Sequence, residues 1–271
     1  MPRLTSLIAT RRFGKSRQGP QRDDGLLPIG AAQFVVCDDD VNKGYLWRGN
    51  GPTVLLMHGW SSDSSSMLGL VKPMLQAGFQ VAAFDAPGHG TSRGARTTMA
   101  RVVEAGVRVI HAIDGADFLV GHSLGAVACA ALAKHIHAEG GRVRAMSFVA
   151  APASLNAVLD IWASARSQQL TDALRARVRA QLKQDNGVPV AHWDIAELCS
   201  DVRVPILLAH DESDPVVPMI EAVRLQSRLD GAVLMRTAGH GHTRILLAPE
   251  VKASTVQFLS KHSDPRGSNR I

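Results

Sequence analysis

Short, unbroken apolar runs recur along the chain: TVLLMHG (53–59), QVAAFDA (80–86), DFLVGHS (117–123), RVRAMSFVA (142–150), VPILLAH (204–210) and AVLMRT (232–237). Apolarity sustained over so few residues predicts strands buried on both faces. Stretches with helical patterning separate the runs, at 64–77, 97–112, 124–138, 218–229 and 248–261. That alternation predicts an α/β domain, a mostly parallel sheet with helices on both faces. Ahead of it, QFVVC (33–37) and GYLW (44–47) flank the polar turn Asp38, Asp39, Asp40, Val41, Asn42 and read as two more strands, about eight in all.

One interval breaks the rhythm. Residues 153–200 are too long for a single crossover and read as two or three helices inserted after the sixth strand. An insertion there sits over the carboxyl ends of the strands, where open α/β sheets bind ligands. The expected organisation is therefore a core of residues 29–152 and 201–262, a helical lid at 153–200, a basic arm at 1–28 and a tail at 263–271. A packed extension without substrate contact is the alternative to a lid.

Composition narrows the class. With 45% hydrophobic and 20% charged residues, the chain has the profile of a soluble globular protein. No apolar run reaches the roughly 20 residues of a spanning helix, so no integral membrane association is expected. The net charge of +6 belongs to the start of the chain: Arg3, Arg11, Arg12, Lys15, Arg17 and Arg22 meet no acid before residue 23, and the remaining 24 bases match the 24 acids. The body is thus neutral and no nucleic-acid partner is expected. The arm reads as a solvated terminus, although its Arg-rich, acid-free start shares some composition with organelle-targeting peptides. Cys37, Cys129 and Cys199 are odd in number and lack metal-ligand spacing, which fits a reducing, cytoplasmic setting.

Chemistry concentrates at two places. Gly121, His122, Ser123, Leu124 and Gly125 form G-x-S-x-G directly after a predicted strand and before a small-residue helix, the context that exposes a serine on a sharp turn. The positive end of that helix lies where an oxyanion would form. A serine that merely caps the helix is the bland alternative. A serine hydroxyl is a weak nucleophile and needs a base. TAGHGHTRIL (237–246) offers His240 and His242, and an extended segment would point both the same way, one residue pair apart. Only one of the two can serve a given nucleophile.

The motifs in series resemble a serine hydrolase of the α/β-hydrolase fold, over about residues 33–261. LLMHGW resembles the family's oxyanion turn after the third strand, FDAPGHGTS its turn after the fourth, and GHSLG its nucleophile elbow. The resemblance implies the chain order nucleophile, acid, histidine. The acid followed closely by VP falls on Asp214. Asp211, at the strand end, is its rival and is better read as organising the turn through backbone hydrogen bonds. The histidine frame Gly-x-Gly-His falls on His242, with His240 in the variable slot. The resemblance also implies that the backbone N–H groups of Trp60 and Leu124 form the oxyanion hole.

His58, His89, His122 and His210 stand beside motif glycines or the acid, and hydrogen bonding around the site accounts for them. No H-E-x-x-H spacing occurs, so neither a metal nor a cofactor is expected. Position 123 is serine, which disfavours the aspartate-nucleophile branches of the family. The implied activity is hydrolysis of a carboxylic ester, a small-molecule acyl ester, through a Ser123 acyl-enzyme. Thioesters, lactones and small amides use the same machinery, and a non-catalytic binding protein shares the fold. Arg166, Arg175, Arg177, Arg179 and Lys183 give the lid a basic face that suits either an anionic group or water. Leu159, Trp162, Leu170, Leu174 and Leu182 suit either an acyl pocket or the seam between lid and core.

Overall fold

In the computed structural model, residues 30, 32–34, 44–94, 96–164 and 171–263 are described. The proposed arm, the turn at 38–42, Cys37, Arg166 and Leu170 lie outside them. The strands are β1 (Ala32–Phe34), β2 (Gly44–Trp47), β3 (Thr53–Met57), β4 (Gln80–Phe84), β5 (Phe118–His122), β6 (Ala145–Val149), β7 (Ile206–Asp211) and β8 (Val233–Thr237). They form one sheet in the order β1-β2-β4-β3-β5-β6-β7-β8. β1 and β2 join antiparallel and every pair from β4 onward is parallel.

The helices are α1 (Leu68–Gln76), α2 (Met99–Ala112), α3 (Leu124–Ala138), α4 (Leu155–Ser164), α5 (Asp172–Asn186), α6 (Ile195–Cys199), α7 (Met219–Arg228), α8 (Gly241–Arg244) and α9 (Pro249–Lys261). The two-residue period of a strand sends alternate side chains to opposite faces, and β3 shows the result. Leu55 and Met57 join a core that includes residues of α2, α3 and α6. Val54 and Leu56 join a second core with residues of α1 and α9. The parallel strands β3 to β7 are buried along most of their length, as unbroken apolar runs require.

β8 departs from that expectation. As the edge strand it has a single neighbour, β7, and Val233 is 52% exposed. Its apolar run reflects strand propensity and one covered face rather than burial on both.

The connections fix where a ligand goes. β3 leads to β4 on one side, while β5 leads to β6 on the other, so β3 and β5 are neighbours at which the winding reverses. Open α/β sheets bind ligands in the crevice at the carboxyl ends of such a pair. Here those ends carry the His58–Trp60 turn and the 121–125 elbow.

Candidate active site

The elbow is built by close approach. Ser123 has φ 53° and ψ −126°, a conformation costly for any residue with a side chain. A Cβ on Gly125 would lie 2.4 Å from the Met57 carbonyl oxygen, and one on Gly121 would lie 2.5 Å from the Ala126 nitrogen. Only glycine lets β5, α3 and the end of β3 meet this closely. The Ser123 N–H is bonded to the Val149 carbonyl at 2.9 Å, which ties the strained residue to β6. The Ser123 side chain makes no capping bond to α3, so its hydroxyl is not spent as a helix cap.

The turn after β3 abuts the elbow. A Cβ on Gly59 would fall 3.0 Å from Ser123 Cβ. His58 fixes this turn: its Nδ1–H donates to the Gly59 carbonyl at 2.8 Å, and its Nε2 accepts from Ala86 N–H at 3.0 Å. Asp85, just before Ala86, is buried and accepts from Ser64 N–H and from the N–H and hydroxyl of Thr91. Burial alone would raise the Asp85 carboxyl, but these donors and His58 outweigh it and hold it below the usual range. Trp60 packs edge-on against His89 with ring centroids 5.1 Å apart.

One candidate acid, Asp211, ends β7 and the other, Asp214, follows it, and they do different things. Asp211 accepts from Ser213 N–H at 3.0 Å, Thr237 Oγ1 at 2.9 Å and His240 N–H at 3.0 Å. Its carboxyl is held far below the usual range, since the Ser213 hydroxyl, the His240 and Gly241 N–H groups and the Thr237 hydroxyl overcome the opposing effect of burial. Asp214 accepts from Val216 and Val217 N–H at 2.8 and 2.9 Å through Oδ1, and from His242 Nδ1–H at 2.8 Å through Oδ2. Its side chain is fully buried. Burial raises its pKa, and the His242 ring with the two amides more than reverses that.

The histidine segment is not extended. Gly239 and Gly241 both take positive φ, 86° and 67°, and Gly241–Arg244 forms the short helix α8. His240 lies just before that helix, and the left-handed Gly241 turns the chain between the two histidines, so they point apart instead of together. His242 turns in to Asp214, while His240 turns out and bonds Glu250 Oε1 through Nε2 at 2.7 Å. Because a carboxylate accepts only, His242 carries its proton on Nδ1 and leaves Nε2 bare to receive another. The His242 ring lies 4.9 Å, centroid to centroid, from that of His122, the residue before Ser123.

A cavity of about 260 Å³ opens beside this cluster, lined by Trp60, Leu124, Thr98, Met99, Leu155 and Leu182 among others. Sequence patterning did not single out the first turn of α2 as a lining element, because its residues read as an ordinary amphipathic start. Asn186, at the end of α5, spans the cavity edge by accepting from Ala100 N–H at 3.2 Å. Of the apolar residues assigned to the insertion, Leu182 reaches the cavity, whereas Leu159 and Trp162 face the seam between α4 and α5. Of its basic residues, Arg175 and Arg179 are turned to Asp160 within the insertion. α6 packs on α3 and belongs to the core.

A mostly parallel, doubly wound sheet with a strained serine at its switch point and a buried carboxylate on a histidine beyond it defines an α/β-hydrolase. The model of the alpha/beta hydrolase family matches residues 54–254, and the chain belongs to that family. Among its relatives is a pimeloyl-[acyl-carrier protein] methyl ester esterase of Nitrosomonas europaea, 26% identical over 251 residues, covering 78% of this chain and 94% of that one. Solved structures with the same fold include an esterase of Pyrococcus furiosus (TM-score 0.67, 18% identity, 92% of this chain and 99% of that chain). Another is Est1E of Butyrivibrio proteoclasticus with ferulic acid bound (TM-score 0.67, 15% identity, 85% and 99%). Among the described residues no helix is long and apolar enough to cross a membrane, and no cluster of three metal-ligating side chains occurs.

Proposed function

We propose that the protein is a serine hydrolase that cleaves carboxylic esters through an acyl-enzyme on Ser123. The observation that carries this reading is the 2.8 Å bond from His242 Nδ1 to the fully buried Asp214 carboxylate, beside a strained and uncapped serine. The bare Nε2 of His242 removes the Ser123 proton as Oγ attacks the ester carbonyl. Negative charge then collects on the former carbonyl oxygen, and the backbone N–H groups of Trp60 and Leu124 receive it. The imidazolium returns its proton to the departing alcohol. Water repeats the sequence on the acyl-enzyme and releases the acid. Asp214 holds the productive tautomer and offsets the charge on the ring.

The cavity beside Trp60 and Leu124 receives one side of the ester, and α4 and α5 act as its lid through Leu155 and Leu182. At about 260 Å³ it lies below the usual range of drug-sized ligand pockets, about 300–1,000 Å³, and so favours short to medium groups. The relative named a methyl ester esterase supports an ester in preference to a thioester, lactone or amide. The free, buried Cys129 and Cys199 support a reducing, cytoplasmic setting.

A fluorophosphonate probe followed by peptide mapping tests the nucleophile. Label on Ser123, lost in Ser123→Ala, is the expected result; folded protein without that adduct removes the reading. A series of p-nitrophenyl esters should show kcat/KM falling once the acyl chain outgrows the cavity, and Leu182→Trp should move that cutoff to shorter chains.

A further inference from the structure

His122 is buried and belongs to neither the acid nor the base. Its Nε2 lies 2.8 Å from the backbone carbonyl of His242, across 120 residues of chain. A carbonyl only accepts, so Nε2 carries the hydrogen and donates. Its other nitrogen, Nδ1, is buried and meets no donor among the described residues. A Cβ on Gly59 would sit 3.0 Å from that nitrogen, so the ring is pressed between the turn after β3 and the His242 ring, 4.9 Å away. Burial first, and then the neighbouring His242, lower the His122 pKa to about 4 and keep it neutral. The ring's single donor is spent on the loop that carries His242.

We propose that His122 is a positioning residue that sets the distance between Ser123 and His242. Asp214 fixes the His242 ring from one side; His122 fixes its backbone from the other, and peptide geometry makes His122 move with Ser123. The bond therefore couples nucleophile and base directly, without relying on the edge strand β8 or on the two positive-φ glycines flanking His240. Without it, Gly239 and Gly241 leave α8 free to shift, and a displacement of about 1 Å at a reacting pair costs on the order of a hundredfold in rate. The inference rests on the Ser123–His242–Asp214 reading above.

The test compares wild type, His122→Gln, His122→Phe and His242→Ala on p-nitrophenyl butyrate. Gln places an N–H donor near the position of Nε2, whereas Phe keeps the ring and loses the donor. His122→Phe should lower kcat on the order of 10- to 100-fold with KM within about twofold, and His122→Gln should recover most of that loss. Fluorophosphonate labelling of Ser123 should slow in parallel, which keeps the test sound if turnover falls below detection. Far-UV circular dichroism and the urea midpoint establish that each variant is folded; should Phe fail to fold, Gln against wild type still decides, since a drop of 10-fold or more in folded Gln protein overturns the proposal. Unchanged kcat in folded His122→Phe also overturns it, as does equal loss in Phe and Gln, which would assign the effect to ring packing. Full activity in His242→Ala instead removes the triad reading, and this inference with it.

Discussion

Replacing Asp214 by Asn separates the roles of the two acids at the end of β7 and just beyond it. The amide oxygen can keep the two bonds from Val216 and Val217 N–H, so the loop retains its shape. The NH₂ group then faces His242 Nδ1, where the carboxylate Oδ2 accepted at 2.8 Å. An amide donor there forces Nδ1 to accept and moves the ring proton to Nε2, the nitrogen that takes the serine proton in the proposed mechanism. Restoring the working tautomer leaves two buried donors facing each other, at about 1–3 kcal/mol for an unsatisfied group, and forfeits a charge-assisted bond worth about 1.5–3 kcal/mol. The sum, about 3–6 kcal/mol, corresponds to a loss of about 10²- to 10⁴-fold in kcat. The assay is steady-state hydrolysis of p-nitrophenyl butyrate, with a urea melt to show that fold is retained. Asp211→Asn is the control: it disturbs bonds to Ser213, Thr237 and His240, so it should cost stability first. Asp214→Asn within tenfold of wild type, or the larger kcat loss falling on Asp211→Asn in folded protein, would refute the assignment.

The remaining predictions test neighbouring parts of the site. His242→Ala should nearly abolish turnover, while His240→Ala removes only a solvent-screened contact to Glu250, changing kcat by less than about fivefold and leaving the urea midpoint close to wild type; the reverse order in steady-state assays would shift the base to His240. Gly125→Ala drives a Cβ to 2.4 Å from the Met57 carbonyl oxygen, so stability should fall by about 3 kcal/mol or more in urea unfolding, and a midpoint equal to wild type would mean the elbow is looser than described. His89 and His122 are both buried with pKa values lowered from 6.5 to about 4, so they stay neutral in the folded state while the unfolded chain binds their protons. Stability should therefore fall as pH drops from about 6.5 to 4, by about 2 kcal/mol per histidine at pH 5; His89→Leu should flatten that slope by about half in urea titrations at pH 7.5 and 5, and an unchanged slope would contradict burial of the neutral ring.

The parts of this fold that were legible in the sequence are those where one local pattern has one structural solution. The β3 to β7 runs are apolar on both faces because helices cover both, and the helices α2, α3, α7 and α9 begin and end within about two residues of the patterned stretches, whereas α1 begins four residues late. G-x-S-x-G is legible because a Cβ on either glycine would fall 2.4–2.5 Å from neighbouring backbone, which no other residue tolerates. β8 misled because an edge strand and a central strand can share the same apolar composition, and only the sheet order tells them apart. The 239–242 segment misled for a different reason: two glycines with positive φ start a four-residue helix that no propensity favours, and its cause lies in contacts with the β7 loop, far off in sequence. The insertion was least legible, since whether Leu159 or Arg179 faces the ligand, the neighbouring helix or water depends on helix rotation, which spacing alone leaves open.

The placement of the three chemical groups explains why the loops carry so many bonds. Ser123 stands at the end of β5, in the interior of the sheet, where strands on either side and α3 behind it fix its position. Asp214 and His242 lie in the loops that follow β7 and the edge strand β8, beyond the packed sheet. Hydrogen bonds make up the difference: Glu212 N–H to the Thr237 carbonyl, Thr237 Oγ1 and His240 N–H to Asp211, Gly239 N–H to Ser213 Oγ, and His242 Nδ1–H to Asp214. All of these join one edge loop to the other and would let the pair drift together relative to the serine. The bond from His122 to the His242 carbonyl runs instead from the edge to the centre of the sheet. A rigid acid and base are of no use to a nucleophile held at the wrong distance, and in the proposed mechanism the central contact sets that distance.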